Sequence, residues 1–200
     1  MSDTLFESFE LTDPIPSTDW AGGAKRAGQT FTPSGSHNLT SIKFYLQKVG
    51  SPGSASVHIT ATDVNGLPTG ADLVSATFDG DALTTSLAWV EITLSATSLT
   101  SGTKYAAYIK ALSGDISNYV GIALQTSSYA TYSGGTEIAT TDSGASWTAY
   151  TPPSQERDSL FMEYGIPLAG EAKGAIAIYQ TQFRYLDAYG VERYLEGTVV

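Results

Sequence analysis

The chain has 200 residues, a net charge of −10 and no cysteine. Disulfides and thiolate metal sites are therefore excluded, and a chain with only 10 lysines and arginines is a poor match for nucleic-acid phosphates. A hydrophobic content of 42% suffices for a packed core. The first residues lack the basic start and apolar run of a signal peptide, and no window resembles a membrane span. We therefore expect a protein that is made in a cytoplasm and not exported by the usual route.

Residues 1–28 are acidic and also rich in large apolar side chains. Pro14 and Pro16 interrupt any regular pattern there. The segment is either a mobile tail or an extended arm that docks on a neighbouring molecule. In the second case the assembly contacts predicted for this segment are Phe6, Phe9 and Trp20.

The body, residues 29–165, alternates apolar and polar side chains with the period of a half-buried strand. Ile42, Phe44 and Leu46 are the first such set. Further strands are predicted at 57–61, 73–78, 90–94, 105–112, 120–124, 147–150 and 159–164. Many short strands without intervening helices predict an all-β antiparallel sandwich or jelly roll. Tyr105, which follows Leu99 and Gly102, has the spacing of a tyrosine corner, whose hydroxyl bonds to the loop backbone.

Residues 166–200 are predicted to form a linker and a β-hairpin around the turn Asp187-Ala188-Tyr189-Gly190. A two-stranded hairpin is marginal in water, so it should lie against the sandwich or another subunit. Phe183, Tyr185 and Tyr194 are the assembly contacts predicted here.

Catalytic machinery is not evident in the sequence. The two histidines, His37 and His58, are expected to be surface residues, and no Gly-x-Ser-x-Gly motif accompanies a serine. The acidic residues Glu137, Asp142, Glu156 and Asp158 could contribute to a glycosidase pair, but nothing marks any of them as special. We therefore expect a protein that is not an enzyme.

No cofactor is predicted. Asp63, Asn65 and Gly66 resemble the start of a calcium loop, but the later acidic ligands of that motif are missing. A simple turn is favoured, because Asp and Asn prefer turns. A calcium ion held between distant loops stays an alternative.

The segment from Thr140 to Trp147 resembles the Asp-box of sialidases and related β-proteins. That resemblance implies a hairpin in which Asp142 caps the turn and Trp147 packs inward, away from any catalytic centre. Several tyrosines lie in or beside the loops around it, and flat sugar faces stack on such rings. The glycan-binding candidates are Tyr119, Tyr129, Tyr132 and Tyr150.

The body as a whole resembles a family of jelly-roll sandwich domains found in tailed-phage and prophage virion proteins and in bacterial surface proteins. The matching motifs are Gln29-Thr30-Phe31, Leu39-x-x-Ile42, Thr62-Asp63-x-Asn65-Gly66-x-Pro68-x-Gly70, Leu99-x-x-Gly102-Thr103-x-Tyr105, Tyr132-Ser133-Gly134-Gly135, Gly144-Ala145-Ser146-Trp147 and Asp158-Ser159-Leu160-Phe161. Together with the missing signal peptide, the apolar N-terminal segment and the C-terminal hairpin, the resemblance leads us to expect a structural protein of a tailed-phage virion. Such a protein would be a capsid decoration protein or a head or tail appendage, with itself and other capsid or tail proteins as partners. The alternative is a carbohydrate-binding or receptor-binding module that contacts cell-surface glycans.

Overall fold

The computed structural model describes residues 3–10, 16–151, 156–168, 184–186 and 192–194. It confirms the all-β prediction: strands make up 62% of the chain, and two antiparallel sheets pack against each other as a sandwich. The strands are β1 (Thr4–Phe9), β2 (Ser17–Ala21), β3 (Arg26–Phe31), β4 (His37–Val49), β5 (Ser54–Thr62), β6 (Pro68–Asp79), β7 (Ala88–Leu99), β8 (Tyr105–Lys110), β9 (Tyr119–Thr126), β10 (Glu137–Thr140), β11 (Thr148–Ala149), β12 (Arg157–Ser159), β13 (Phe161–Pro167), β14 (Arg184–Leu186) and β15 (Glu192–Tyr194).

The first sheet has seven strands, with β1, β13, β4, β9 and β12 in order, while β7 also pairs with β4 and β2 with β9. The second sheet has six strands in the order β11-β10-β3-β8-β5-β6. Between the sheets lie the side chains that the alternating pattern predicted, among them Phe44, Ile59 and Phe161, all fully buried. Each such side chain stabilises the sandwich by roughly 1.5–3 kcal/mol.

A buried polar link joins the two sheets through Gln29 of β3. Its side-chain Nε2 donates to Asp158 Oδ1 at 2.9 Å, and the backbone N of Ser159 donates to Gln29 Oε1 at 2.8 Å. Asp158 Oδ2 accepts from the backbone N of Tyr132 at 3.0 Å. Both ends of the Gln29 amide therefore have partners, as a buried amide requires.

Two local predictions are confirmed by side-chain hydrogen bonds. The hydroxyl of Tyr105 accepts from the backbone N of Thr100 at 3.0 Å, which makes the tyrosine corner. Asp63 Oδ1 accepts from the backbone N of Asn65 and of Leu67, each at 2.9 Å, which closes the predicted turn. The predicted strand 73–78 is longer in the structure, because β6 begins at Pro68.

The N-terminal segment differs from the arm that was predicted. β1 pairs with β13 and β2 pairs with β9, so both belong to the first sheet. The predicted boundary at residue 29 falls inside β3. Phe6 and Phe9 are 7% and 6% exposed within the chain's own fold, so they are not free to dock on a neighbour.

The C-terminal strands β14 and β15 pair with each other, with Tyr185 opposite Arg193 and Tyr194 opposite Arg184. Of the predicted hairpin, the turn at 187–190 and Phe183 lie outside the described residues. Among the described residues, neither strand joins the ladder of either larger sheet.

We predict that Gln29→Ala destabilises the sandwich by about 2–4 kcal/mol, because Asp158 and the Ser159 N–H lose buried partners and a cavity remains. Chemical denaturation measures this. Gln47→Ala, a half-buried glutamine on β4, is the control and should cost less than about 1 kcal/mol. Equal effects of the two substitutions would contradict the link.

Candidate functional site

Three rings lie in contact along the outer face of the second sheet, and we call this set the ring row: His58, Tyr108 and Trp147. His58 of β5 is directly opposite Tyr108 of β8, and their rings stack with centroids 5.1 Å apart and planes at 8°. Trp147 contacts the other side of Tyr108 at 4.9 Å. Gly28 sits opposite Tyr108 on β3, where a Cβ would come within 2.0 Å of the Ala107 carbonyl oxygen.

His58 is held by hydrogen bonds from both ring nitrogens. Its Nδ1 is 2.7 Å from Asp72 Oδ2, and its Nε2 is 2.8 Å from Ser56 Oγ. A carboxylate accepts hydrogen bonds, so Nδ1 carries the proton and donates to Asp72. Nε2 then accepts from the Ser56 hydroxyl when the imidazole is neutral. The three side chains form one relay across β5 and β6.

Charged groups of both signs surround the Tyr108 ring. The Arg26 guanidinium lies 6.0 Å from the ring centroid. Burial raises the pKa of the Tyr108 hydroxyl, and the nearby Asp72 carboxylate raises it further, while Arg26 opposes them. The Nε of Arg26 is buried without a hydrogen-bond partner in the protein. An arginine poised beside an aromatic row suits a polar ligand that brings an acceptor.

The segment from Thr140 to Trp147 forms the hairpin that its resemblance implied, but Trp147 does not pack inward, because it lies on the outer face of the second sheet against Tyr108. β10 and β11 pair as a hairpin, with Ala139 opposite Thr148. In the turn between them, Asp142 Oδ1 accepts from the Ser146 backbone N at 2.9 Å and from Thr140 Oγ1 at 2.6 Å. These bonds, with one from the Ser146 hydroxyl, hold the pKa of Asp142 well below its usual range. Trp147 is half-buried, so part of its ring stays accessible at the end of the ring row.

The expectation of surface histidines is wrong for both residues. His58 faces outward but is only 9% exposed, because Tyr108 and Asp72 cover it. His37 is fully buried at the start of β4, where its Nδ1 contacts the Gly35 carbonyl at 2.9 Å and its Nε2 contacts Glu163. The Phe6 ring stacks on it at 3.7 Å. His37 therefore anchors β1 to the sandwich.

His37 and Glu163 form a buried pair in which the pKa of each group is raised. Burial alone would lower the pKa of His37, but the hydrogen bond and charge of Glu163 raise it above its usual value. Burial raises the pKa of Glu163. Glu7 of β1 lies nearby and accepts from the Ser34 backbone N at 2.9 Å. One proton on the pair makes its net charge zero, either as an ion pair or as two neutral groups. Both forms tolerate burial better than an isolated carboxylate.

The four tyrosines predicted to bind glycans have separate environments. Tyr132 donates to Glu7 Oε2 at 3.2 Å and packs on Phe161, and burial followed by the Glu7 charge raises its pKa. Tyr150 lies under the Arg157 guanidinium at 4.2 Å. Tyr129 is 49% exposed beside a 3₁₀ turn. The ring that joins Trp147 is Tyr108, which sequence reasoning missed because it falls in a strand that reads as core.

Tyr119 meets one of the predicted assembly residues. Its ring centroid is 5.4 Å from that of Trp20, and the Lys25 ammonium lies 4.8 Å from the Trp20 ring. Trp20 is half-buried in β2. The structure thus brings one predicted glycan contact and one predicted assembly contact to the same place on the first sheet.

Two of the acidic residues that looked ordinary in the sequence are buried between the sheets. Glu137 is fully buried, and burial together with the neighbouring Asp19 carboxylate raises its pKa to about 9, against the effect of Arg157 3.7 Å away. Neither carboxyl oxygen of Glu137 has a hydrogen-bond partner in the protein. Burial also raises the pKa of Asp158 to about 6. Such burial puts both groups out of reach of a sugar substrate.

Within the described part of the chain, no three His, Asp or Glu side chains are placed to hold a metal ion together. Asp63 uses its Oδ1 within its own turn. In the same residues, no helix has the length and apolar character needed to cross a membrane.

No protein-family model matches the chain, and no curated protein matches it in sequence.

We predict that Glu137→Gln flattens the dependence of stability on pH. The pKa of Glu137 is about 9 in the folded protein, above its ordinary 4.5. Glu137 therefore contributes its full stabilisation of the fold below pH 4.5, and this contribution is lost as pH rises toward 9. Each pH unit in that window lowers the free energy of unfolding by up to about 1.4 kcal/mol. The glutamine variant lacks the titrating carboxyl and does not show this loss.

Urea unfolding between pH 4 and 9 measures the difference between the two proteins. Glu91→Gln, an exposed carboxylate paired with Lys43, is the control and should keep the wild-type slope. Parallel pH profiles for wild type and Glu137→Gln would show that Glu137 is ionised at neutral pH.

Proposed function

We propose that this chain is a structural protein of a tailed-phage virion, such as a capsid decoration protein or a head or tail appendage, and that it assembles with itself and with other capsid or tail proteins. The observation that supports this best is a solvent-facing strip on the first sheet. We call it the aromatic strip, and it consists of Leu5, Tyr45, Trp89, Met162 and Tyr164.

The aromatic strip runs across β1, β13, β4 and β7. Trp89 is directly opposite Tyr45, with ring centroids 5.1 Å apart. On the other side of β4, Tyr164 is opposite Leu5, and the Lys43 ammonium lies 4.8 Å from the Tyr164 ring. Trp89 and Leu5 are 37% and 43% exposed. These large groups meet water although the same strands bury other large side chains efficiently.

Composition and rigidity both favour an interface here. Trp, Tyr and Met are enriched at protein contacts, and aromatic residues often supply most of the binding energy. The strip lies on regular strands, so little conformational entropy is lost when a partner covers it. We assign the assembly contact to this strip and not to Phe6 and Phe9, because the sandwich itself buries those two side chains.

The C-terminal strands offer a second contact. β14 and β15 are each three residues long and pair with one another. A two-stranded sheet of this size is marginally stable alone in water. Docking against another subunit would stabilise a sheet of this size, and Tyr185 and Tyr194 remain the residues we assign to that contact.

Glycan recognition is the second candidate, and the ring row favours it. Trp147 presents part of its ring beside Arg26, with the Asp72 carboxylate at the other end of the row. A sugar face stacks on an indole while its hydroxyls bond to nearby charged groups. We therefore propose the second sheet, opposite the aromatic strip, as the glycan-binding face.

For the assembly role, we predict that the wild-type chain self-associates with rising concentration and that Trp89→Ala weakens this at least tenfold. Loss of a central interface aromatic typically costs about 2 kcal/mol or more. Sedimentation velocity measures it. Trp147→Ala is the matched control, a half-buried tryptophan on the other sheet, and should associate like wild type. A chain that stays monomeric at every concentration, or equal effects of both substitutions, would contradict self-assembly through the strip.

For the glycan role, we predict that the wild-type chain binds members of a bacterial cell-surface glycan array and that Trp147→Ala abolishes the signal, because the stacking surface is removed. Here Trp89→Ala serves as the control and should bind normally. Absence of signal for every glycan, or retention by Trp147→Ala, would rule out this use of the ring row.

A further inference from the structure

We propose that Ser56 is a reactive nucleophile, activated through His58 and Asp72, which accepts acyl groups from small activated esters. The inference is independent of the assembly role, which uses the opposite sheet. It follows from the hydrogen bonds that link Ser56 and His58 of β5 to Asp72 of β6.

The relay has the connectivity that nucleophilic serines require. Ser56 Oγ contacts Nε2 of His58 at 2.8 Å, and Nδ1 of the same ring contacts Asp72 Oδ2 at 2.7 Å. The carboxylate holds the proton on Nδ1, which leaves Nε2 as a base facing the hydroxyl.

The fold fixes these groups before any ligand arrives. Ser56 and His58 are two residues apart on β5, so both point to the outer face of the sheet. The stacked Tyr108 ring prevents rotation of the imidazole. Asp72 lies opposite Thr60 on β6, next to a register shift that places its carboxylate beside His58. A bulge commonly redirects a side chain in this manner.

Access and charge also suit a nucleophile. Ser56 is half-buried, whereas His58, the middle member of the relay, is nearly covered. Lys110 is directly opposite Ser56 on β8. Facing residues of neighbouring strands have Cβ atoms about 4.5–5.5 Å apart, so the lysine ammonium can reach negative charge that develops beside Ser56.

The chemistry is acyl transfer to Ser56 and then to water. Ser56 Oγ adds to the ester carbonyl carbon as its proton passes to His58 Nε2. The bond to the leaving oxygen breaks, His58 returns the proton to that oxygen, and acyl-Ser56 and an alcohol result. Water then adds to the acyl carbon while His58 takes its proton, and collapse releases the carboxylic acid and restores the serine.

Aryl esters are the substrate class that the surroundings favour. The ring row continues from His58 to Tyr108 and Trp147, and these rings offer an aromatic surface beside the serine. An aryl leaving group stacks there and departs readily, because a phenol oxygen is a good leaving group, and it takes the proton that His58 returns. The ammonium group of Lys110, opposite Ser56, disfavours a positively charged acyl group.

The test uses the full chain with p-nitrophenyl acetate and, separately, a fluorophosphonate probe. We expect a burst of p-nitrophenolate, and modification of Ser56 located by peptide mass spectrometry. Ser56→Ala should abolish the Ser56 adduct, and Asp72→Asn should slow its formation at least tenfold, because the imidazole loses its oriented tautomer. Ser54→Ala, an exposed serine on the same strand, is the matched control and should react like wild type.

Two results would overturn the proposal. One is the absence of a Ser56 adduct with both reagents. The other is a Ser56 adduct that forms at the same rate in wild type and Asp72→Asn, since an ordinary surface serine needs no relay. Thermal unfolding of each variant shows that the sandwich is intact, and Asp72→Asn retains shape and volume, so its rate decides the question even if His58 variants fail to fold.

Discussion

The Gln29 amide is the interaction on which the arrangement of the two sheets depends. It lies fully buried in β3 and bonds through both its atoms to Asp158 and Ser159 in β12, at 2.9 and 2.8 Å. Apolar packing is non-directional and allows one sheet to slide over the other. A satisfied polar link between the sheets penalises every register but one, because any shift leaves a buried donor or acceptor unpaired. The same aspartate fixes the backbone at Tyr132, and Tyr132 in turn bonds to Glu7 of the first strand.

Local chemistry was readable from the sequence, and pairing over long distances was not. The tyrosine corner at Tyr105 and the Asp-box turn at Asp142 depend on residues within five positions of each other, and both were predicted. The first strand was read as an arm because Pro14 and Pro16 interrupt the pattern after it. Its partner β13 lies about 150 residues further along, and the antiparallel register from Thr4 to Gly165 leaves no periodic signal. Likewise, Gln29 and Asp158 were both noted in motifs, but their contact spans 129 positions.

Buried ionisable groups account for the largest gap between sequence and structure. A histidine beside glycine and serine, such as His37, has the composition of a surface loop, yet the fold encloses it with Glu163 and Phe6. Glu137 alternates with Ile138 in a pattern that any half-exposed strand would show, and only the first sheet packed against it removes the water. Both sites bind protons more tightly than the unfolded chain does, since the pKa values of His37 and Glu137 are raised. Stability should therefore lean toward acidic conditions, consistent with a chain of charge −10, whose self-repulsion also falls as carboxylates are protonated.

The two outer faces divide the chemistry of the molecule. The first sheet exposes apolar aromatic groups around Trp89 and Tyr45, with Lys43 and Glu91 paired to each other. The second sheet instead joins its aromatic rings to a serine, an aspartate and an arginine, so its polar groups are organised around the rings. A protein partner gains most from the first kind of surface, because burial of large rings costs little desolvation. A small polar ligand gains most from the second kind of surface, where hydrogen bonds to the protein replace the hydrogen bonds that the ligand loses to water. Because the packed core separates the two faces, a protein partner can cover the first sheet while the second stays open to solvent.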